Sequence, residues 1–140
     1  MTELDIFIMK TSFSFHCYLI GEDSLLIKCG ELLLQRGFTI SGIISPLPIV
    51  KDWAVANNLS HFYNFSIAKD HLKNSEFDYL FSIVNRKILP DFLLKKANKF
   101  AINYHDAPLP RYAGVNATCW AILNQEKTHA VTWHVMTNQV

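Results

Sequence analysis

Cysteine is scarce and poorly placed for cross-linking. Cys17, Cys29 and Cys119 are odd in number, widely separated and free of any C-x-x-C pair, so neither a disulfide framework nor a cysteine zinc site is expected. Glycine is also sparse, with five residues in 140. None falls in the G-x-G-x-x-G or G-x-x-x-x-G-K-S/T spacing that brings a strand-to-helix turn against a phosphate chain. The first apolar run instead leads into Gly21-Glu22-Asp23-Ser24, whose two carboxylates repel phosphate. Charge is low too: 18% of residues are charged, and 13 basic against 12 acidic side chains leave +1, so no broad field recruits DNA. No window holds the roughly 20 consecutive apolar residues of a membrane span. The basic-then-apolar order of a secretory signal is missing, because Glu3 and Asp5 occupy its start. The N-x-S/T triplets at Asn58, Asn64 and Asn116 therefore carry no glycosylation reading, and a reducing, cytoplasmic location is expected. Met9-Lys10 offers a second start, with residues 1–8 an extension of no evident structural use.

What is present is core. Half the residues are apolar and 13% aromatic, ten of them Phe. One domain of this length buries roughly two thirds of the surface its unfolded chain exposes. Strand and helix signals alternate without repeat or linker. Phe13–Ile20 reads as a buried strand closed by Gly21, and Glu22–Gln35 as a helix stopped by Gly37. Thr39–Ile44 is a strand, Ile49–Asn58 a helix, His61–Asn64 a short strand and Ala68–Asn74 a short helix. Tyr79–Val84 is a strand, Pro90 opens a helix to about Ala97, and Phe100–Tyr104 is a strand. An irregular segment from Asp106 to Gly114 precedes a helix over Asn116–Leu123 and a strand over Ala130–Val135. That rhythm predicts an α/β fold, a mostly parallel sheet with helices on both faces. Such sheets bind ligands beyond the carboxyl ends of their strands, which directs attention to 21–24, 45–49, 84–90 and 105–114.

The last of these follows Asn103-Tyr104-His105. Residues two apart on a strand share a face, so the Asn103 carboxamide and the His105 imidazole stand side by side at a strand end. The amide can donate to an oxyanion, and the imidazole can donate, accept or carry a proton near neutral pH. The same pair could equally cap loop backbone.

The longer string decides between these readings. Asn103-Tyr104-His105, Leu109-Pro110-Arg111-Tyr112-Ala113-Gly114, the helix around Trp120 and Val131-Thr132 follow one another without a gap. This resembles the formyltransferase family that uses 10-formyltetrahydrofolate, whose members carry N-x-H, then L-P-R/K-[WY]-x-G, a helix and a V-T strand. Its members include methionyl-tRNA, glycinamide ribonucleotide and nucleotide-sugar formyltransferases, together with formylation domains that open some nonribosomal peptide synthetases. The string NYHDAPLPRYAG…ATCWAILN…VTWH is most similar to the last group. The resemblance runs from about Phe13 to the end and is densest over 78–136.

The resemblance implies a Rossmann-like, doubly wound formyltransferase domain over residues 1–140, without its last strands. It implies that Asn103 and His105 polarise the formyl carbonyl and stabilise the tetrahedral intermediate as an amine attacks. The family's third residue, an aspartate, falls one place past Val140, which implies that this chain by itself is inactive. Asp106 is expected to point to the face opposite His105 and so not to replace it. The co-substrate implied is 10-formyltetrahydrofolate, its pterin held by the backbone of the loop after Tyr79–Val84. Val84, Asn85, Arg86, Ile88 and Leu89 are the matching positions. Without the resemblance, Pro90 is a helix start and Arg86-Lys87 a solvated turn. The implied acceptor is a primary amine, an aminoacyl group carried on a carrier protein domain. A nucleotide-linked amino sugar and methionyl-tRNA are the alternatives, and an inactive folate-binding fragment is the reading from another class.

Other residues carry less. His129 and His134 do not make a metal site, since their spacing crosses from a turn into a strand with no carboxylate or third ligand expected nearby. His134 lines the substrate side by resemblance (V-T-[WL]-H), or simply packs. Trp120 is expected to face the core. His16, His61 and His71 are expected to be structural, and Leu109-Pro110 is a candidate cis bond.

Overall fold

Each apolar run or helical stripe becomes one element of an alternating chain. In order these are β1 (His16–Gly21), α1 (Leu25–Gln35), β2 (Thr39–Ile44), α2 (Pro48–Ala56), β3 (His61–Phe62), α3 (Phe65–Lys73), β4 (Tyr79–Ile83), α4 (Asp91–Lys96), β5 (Phe100–His105), α5 (Ala117–Leu123) and β6 (Thr132–Val135). The computed structural model describes residues 13–137; the extension expected over 1–8 lies outside them. The strands form one sheet in the order β3-β2-β1-β4-β5-β6. All neighbours are parallel except β5 and β6, which run antiparallel.

Two cores sandwich the sheet. On one face Cys17, Leu19, Ile43 and Ile83 meet Leu26 and Ile27 of α1 and Val50 and Ala54 of α2. On the other Tyr18, Ile20, Ile44, Leu80 and Ala101 meet Ala68 and Leu72 of α3 and Leu93 of α4. The doubly wound expectation is met, and alternation along each strand sets the faces. Ser82 and Asn103 therefore share the α3/α4 side.

Several boundaries differ from expectation for local reasons. β1 starts at His16, not Phe13, because its pairing with β2 starts there, His16 opposite Thr39, and the His16 N–H donates to the Asp78 carboxylate just before β4 at 3.0 Å. Phe15 instead stacks on Phe38 with ring centroids 4.0 Å apart. α3 begins at Phe65 because Asn64 caps it, its Oδ1 accepting the Ile67 N–H at 3.0 Å; the strand expected over 61–64 shrinks accordingly. Pro90 caps α4 from outside, with ψ 144°. Gly37 does close α1, at φ +78°, where a β-carbon would be strained. His71 accepts from or donates to the Tyr18 hydroxyl at 2.6 Å and His61 bonds the Ser45 carbonyl at 2.9 Å, consistent with structural roles. His16 has its side chain exposed at the strand's start.

The three thiols differ in reach. Cys17 has no exposed surface, and burial, assisted by the Asp78 charge, pushes its thiol up to about 12. Burial also raises Cys29, whereas Cys119 is exposed. Thiolate is the nucleophile, so at about pH 8 a maleimide is expected to label Cys119 first and Cys17 only after unfolding. Mass spectrometry of timed aliquots checks the order, and Cys119→Ser is expected to remove the fast phase.

Candidate active site

The order in which strands are added reverses between β1 and β4, and doubly wound sheets place their ligand crevice at that switch. Here it is nearly closed. The Glu22 N–H donates to the Val84 carbonyl at 3.2 Å, and Lys87 bridges Glu22 at 3.3 Å, leaving about 110 Å³. The space opens instead beyond β4 and β5, as two clefts that share Asn85 and Asn103. One, about 310 Å³, has an apolar wall of Ile88, Leu89, Leu94, Val135 and Met136, with Ser82 and His134 at its floor. The other, about 470 Å³, is polar: Arg86, His105, Asp106, Asn116 and Thr118 line it with Val84 and Gly114.

Asn103 stands where the clefts meet, and its amide orientation follows from its neighbours. His134 Nδ1 lies 3.3 Å from the Val135 carbonyl, which can only accept, so that nitrogen carries the proton and Nε2 is the acceptor. Nε2 in turn lies 3.3 Å from Asn103 Nδ2. The carboxamide oxygen therefore faces Ser82, whose Oγ–H donates to it at 2.9 Å. One amide hydrogen serves His134 and the second is left for the clefts. Ser82 is one of two buried polar residues among those described. Sequence reasoning passes over it, though a lone serine inside Tyr79-Leu80-Phe81-Ser82-Ile83-Val84 is a visible signal.

His105 is fixed from the other side. Its Nε2 lies 2.9 Å from the Tyr112 carbonyl, again an obligatory acceptor, so Nε2 carries a proton and Nδ1 holds the free lone pair of the neutral ring. The Tyr112 hydroxyl donates to Glu126 at 2.7 Å and accepts from Asn124 at 2.9 Å, while Arg111 pairs with the same carboxylate. Glu126 thus clamps the loop that orients the imidazole. No sequence signal marks it, because the contact exists only once the loop has folded. The Leu109–Pro110 peptide in this loop is cis. Backbone strain gathers at the same place: Val84, Tyr112 and Asn116 have φ of 50°, 58° and 58°, the left-handed region that costs a β-branched residue such as Val84 most.

Two expectations about this region are corrected. Strand alternation ends at His105, so Asp106 does not simply face away: its carboxylate hydrogen-bonds Tyr104, whose side chain lies on the face opposite His105, yet it also lines the polar cleft with His105. His129 does have a carboxylate neighbour, Asp106 at 3.2 Å; among the described residues no group of three ligands accompanies it. The Thr118 hydroxyl, donating at 2.7 Å, is the main cause that holds the Asp106 carboxyl below its usual range, with His129 assisting. A depressed carboxyl contributes stability present above its unfolded pKa of about 3.9 and lost as pH falls through its folded value. Asp106→Asn is therefore expected to lower Tm slightly at neutral pH, and to converge with the parent in the most acidic range; paired thermal melts check this.

A third correction concerns Trp120. It is 55% exposed, because α5 is short and buries only its Ala117 and Ala121 edge. The loop positions divide between the clefts: Val84, Asn85 and Arg86 line the polar one, while Ile88 and Leu89 (with Asn85 again) line the apolar one. The Asn85 side chain is spent on its own loop, bonding Lys87 N and O at 3.2 and 2.8 Å.

Fold and site together define a doubly wound α/β domain that sets an oriented carboxamide and an imidazole between an apolar slot and a polar cleft. A family model described as formyl transferase matches residues 62–140, and the chain belongs to that family. The chain is 30% identical over 122 residues to the bifunctional polymyxin resistance protein ArnA of Wigglesworthia glossinidia brevipalpis, covering 77% of this chain and 19% of that one. It is 33% identical over 81 residues to a GDP-perosamine N-formyltransferase of Brucella melitensis, covering 58% and 29%. With a methionyl-tRNA formyltransferase of Clostridium novyi the identity is 33% over 92 residues, covering 62% and 30%. The chain thus spans less than a third of each of these relatives. The solved phosphoribosylglycinamide formyltransferase of Anaplasma phagocytophilum superposes with TM-score 0.73 at 19% identity, over 91% of this chain and 67% of that one. A formyltetrahydrofolate deformylase from Pseudomonas syringae pv. tomato gives 0.79 at 17%, over 91% and 48%. These neighbours share the fold.

Proposed function

We propose that this domain transfers a formyl group from 10-formyltetrahydrofolate to a primary amine. The observation that carries the reading is the Asn103 carboxamide, held by Ser82 and His134 with one donor left over where the two clefts join. A pterin is flat and polar at its edge, and the apolar wall of Ile88, Leu89, Leu94, Val135 and Met136 suits its faces while the 84–89 backbone can serve its edge. When bound, the folate supplies the formyl carbon. Asn103 then donates to the formyl oxygen as negative charge grows there, a preorganised contact of the oxyanion-hole kind. The free lone pair of His105 takes a proton from the acceptor's nitrogen as that nitrogen bonds the formyl carbon. The carbon's bond to the folate nitrogen breaks, the proton passes to that departing nitrogen and tetrahydrofolate is released, while Tyr112 keeps the ring turned for the task.

For the acceptor, the likeness of NYHDAPLPRYAG to synthetase formylation domains supports an aminoacyl group on a carrier protein domain. The named relatives favour a nucleotide-linked amino sugar as the second reading, and methionyl-tRNA beside it. The test incubates the protein with 10-formyltetrahydrofolate and each acceptor in turn, following tetrahydrofolate release and mass of the formylated amine. Formylation of the carrier-bound aminoacyl group alone supports the first reading; formylation of the sugar alone moves the assignment. Calorimetric binding of a folate without transfer to any amine would instead make this chain a folate-binding fragment.

A further inference from the structure

The polar cleft holds few charges. Asp106 and Arg86 are the ionisable side chains of fixed sign on its walls, beside His105. Three segments converge on Asp106: it stands one residue past β5, Thr118 on α5 donates to its Oδ2 at 2.7 Å, and His129 in the turn before β6 meets its Oδ1 at 3.2 Å. The Tyr104 hydroxyl shares a hydrogen bond with the same carboxylate, so of its roughly four lone-pair sites one stays open after these three contacts. The donors fix the carboxylate plane and the side chain remains partly open, with 43% of it exposed. Neither lysine nor arginine pairs with it among the described residues, and His129 neutralises it only when protonated. A carboxylate pinned in orientation, ionised, facing a cleft and short of a permanent cation is a receptor for one.

We propose that Asp106, held by Thr118 and His129, is the subsite that receives the acceptor's ammonium group. This rests on the formyl-transfer reading for what happens next, since it sets the amine next to His105 and Asn103, but the capture itself is a property of this chain alone. The ligand class is a primary ammonium on a small, otherwise uncharged head. Amines lacking the positive charge gain nothing from this wall, and a charge-assisted hydrogen bond is the stronger kind.

The test titrates the ¹⁵N-labelled 140-residue chain with alaninamide, which carries an ammonium, and with lactamide, its neutral hydroxyl counterpart. Alaninamide is expected to shift the Asp106, Thr118 and His129 signals saturably and lactamide to leave them in place. Asp106→Asn is expected to weaken alaninamide binding about fivefold or more, the scale of a partly exposed ion pair of about 1 kcal/mol. Asp106→Glu is expected to retain most of it. Equal shifts with lactamide, or an unchanged titration in Asp106→Asn, would overturn the proposal; the first comparison uses only the wild-type chain and needs no variant to fold. Folate affinity, measured by calorimetry, is expected to be the same in all three proteins, and a parallel loss would make Asp106 a structural staple instead. Transfer is assayed separately. Its absence with every amine would count against the formyl-transfer reading and leave ammonium capture by Asp106 to stand or fall on the titration.

Discussion

Asn103→Ala is expected to slow formyl transfer by about a hundred- to a thousandfold, the scale for deleting one oxyanion donor, with little change in folding. The reason is local. The carboxamide oxygen is committed to Ser82 and one N–H to His134, so the remaining N–H is the group aimed at the join of the clefts. Alanine removes it, and Asn103→Asp removes it while keeping size and shape. A carboxylate cannot donate and would repel the growing charge, so the aspartate variant is expected to lose at least as much as alanine. Ser82→Ala leaves the amide in place but unpins it, and a smaller loss is expected. Rates are measured at saturating folate, with thermal melts alongside. Transfer by Asn103→Ala within threefold of the parent would remove Asn103 from the reaction.

The chain's alternation of runs and stripes suffices to reveal the layered α/β architecture, because a strand buried on both faces and an amphipathic helix have different periods. β2 is legible to the residue, bounded by Gly37 on one side and Ser45-Pro46 on the other. The ends of β1 and α3 are not, since they depend on the Asp78 carboxylate and the Asn64 cap, contacts that only the assembled sheet or turn supplies. The site divides in the same way. Asn103 and His105 lie two apart on one strand, and that spacing is written in the sequence. Their partners arrive from elsewhere: Ser82 by register across β4–β5, His134 across β5–β6, and Tyr112 and Glu126 through an irregular loop. Register can be inferred from pairing strands in order; loop geometry cannot. The misplacement of Asp106 has the same origin. It carries the two-residue period one step beyond the strand that obeys it, and the misplacement of Trp120 applies a helix period to a helix too short to bury a full face.

Gly21 shows how tightly the sheet and the site are joined, and Gly21→Ala is expected to be the most damaging small substitution in the described chain outside the site itself. In the sequence this glycine looks like a stop after the first strand; it is the last residue of that strand, paired with Ile83. A β-carbon there would stand 2.0 Å from the Ile83 carbonyl oxygen and 3.2 Å from a Leu26 methyl. The first obstacle is backbone within a central pair of strands, which cannot swing aside as a side-chain tip would. Relief requires β1 and β4 to part at their carboxyl ends, which strains the Glu22–Val84 bond and pulls on Val84, already in the left-handed region and lining the polar cleft. Overpacking of this kind costs about 3 kcal/mol, or about 10 °C in Tm for a domain of this size. Gly37→Ala is the control: nothing lies within 4 Å of its β-carbon, so it bears only the positive-φ cost of about 1 kcal/mol. Denaturant unfolding of both variants is expected to place Gly21→Ala well below Gly37→Ala, and folate binding is expected to weaken in the first and not the second. Equal stabilities would mean that the β1–β4 pair can open without loss, and the closed switch crevice would then not be what directs ligands to the neighbouring clefts.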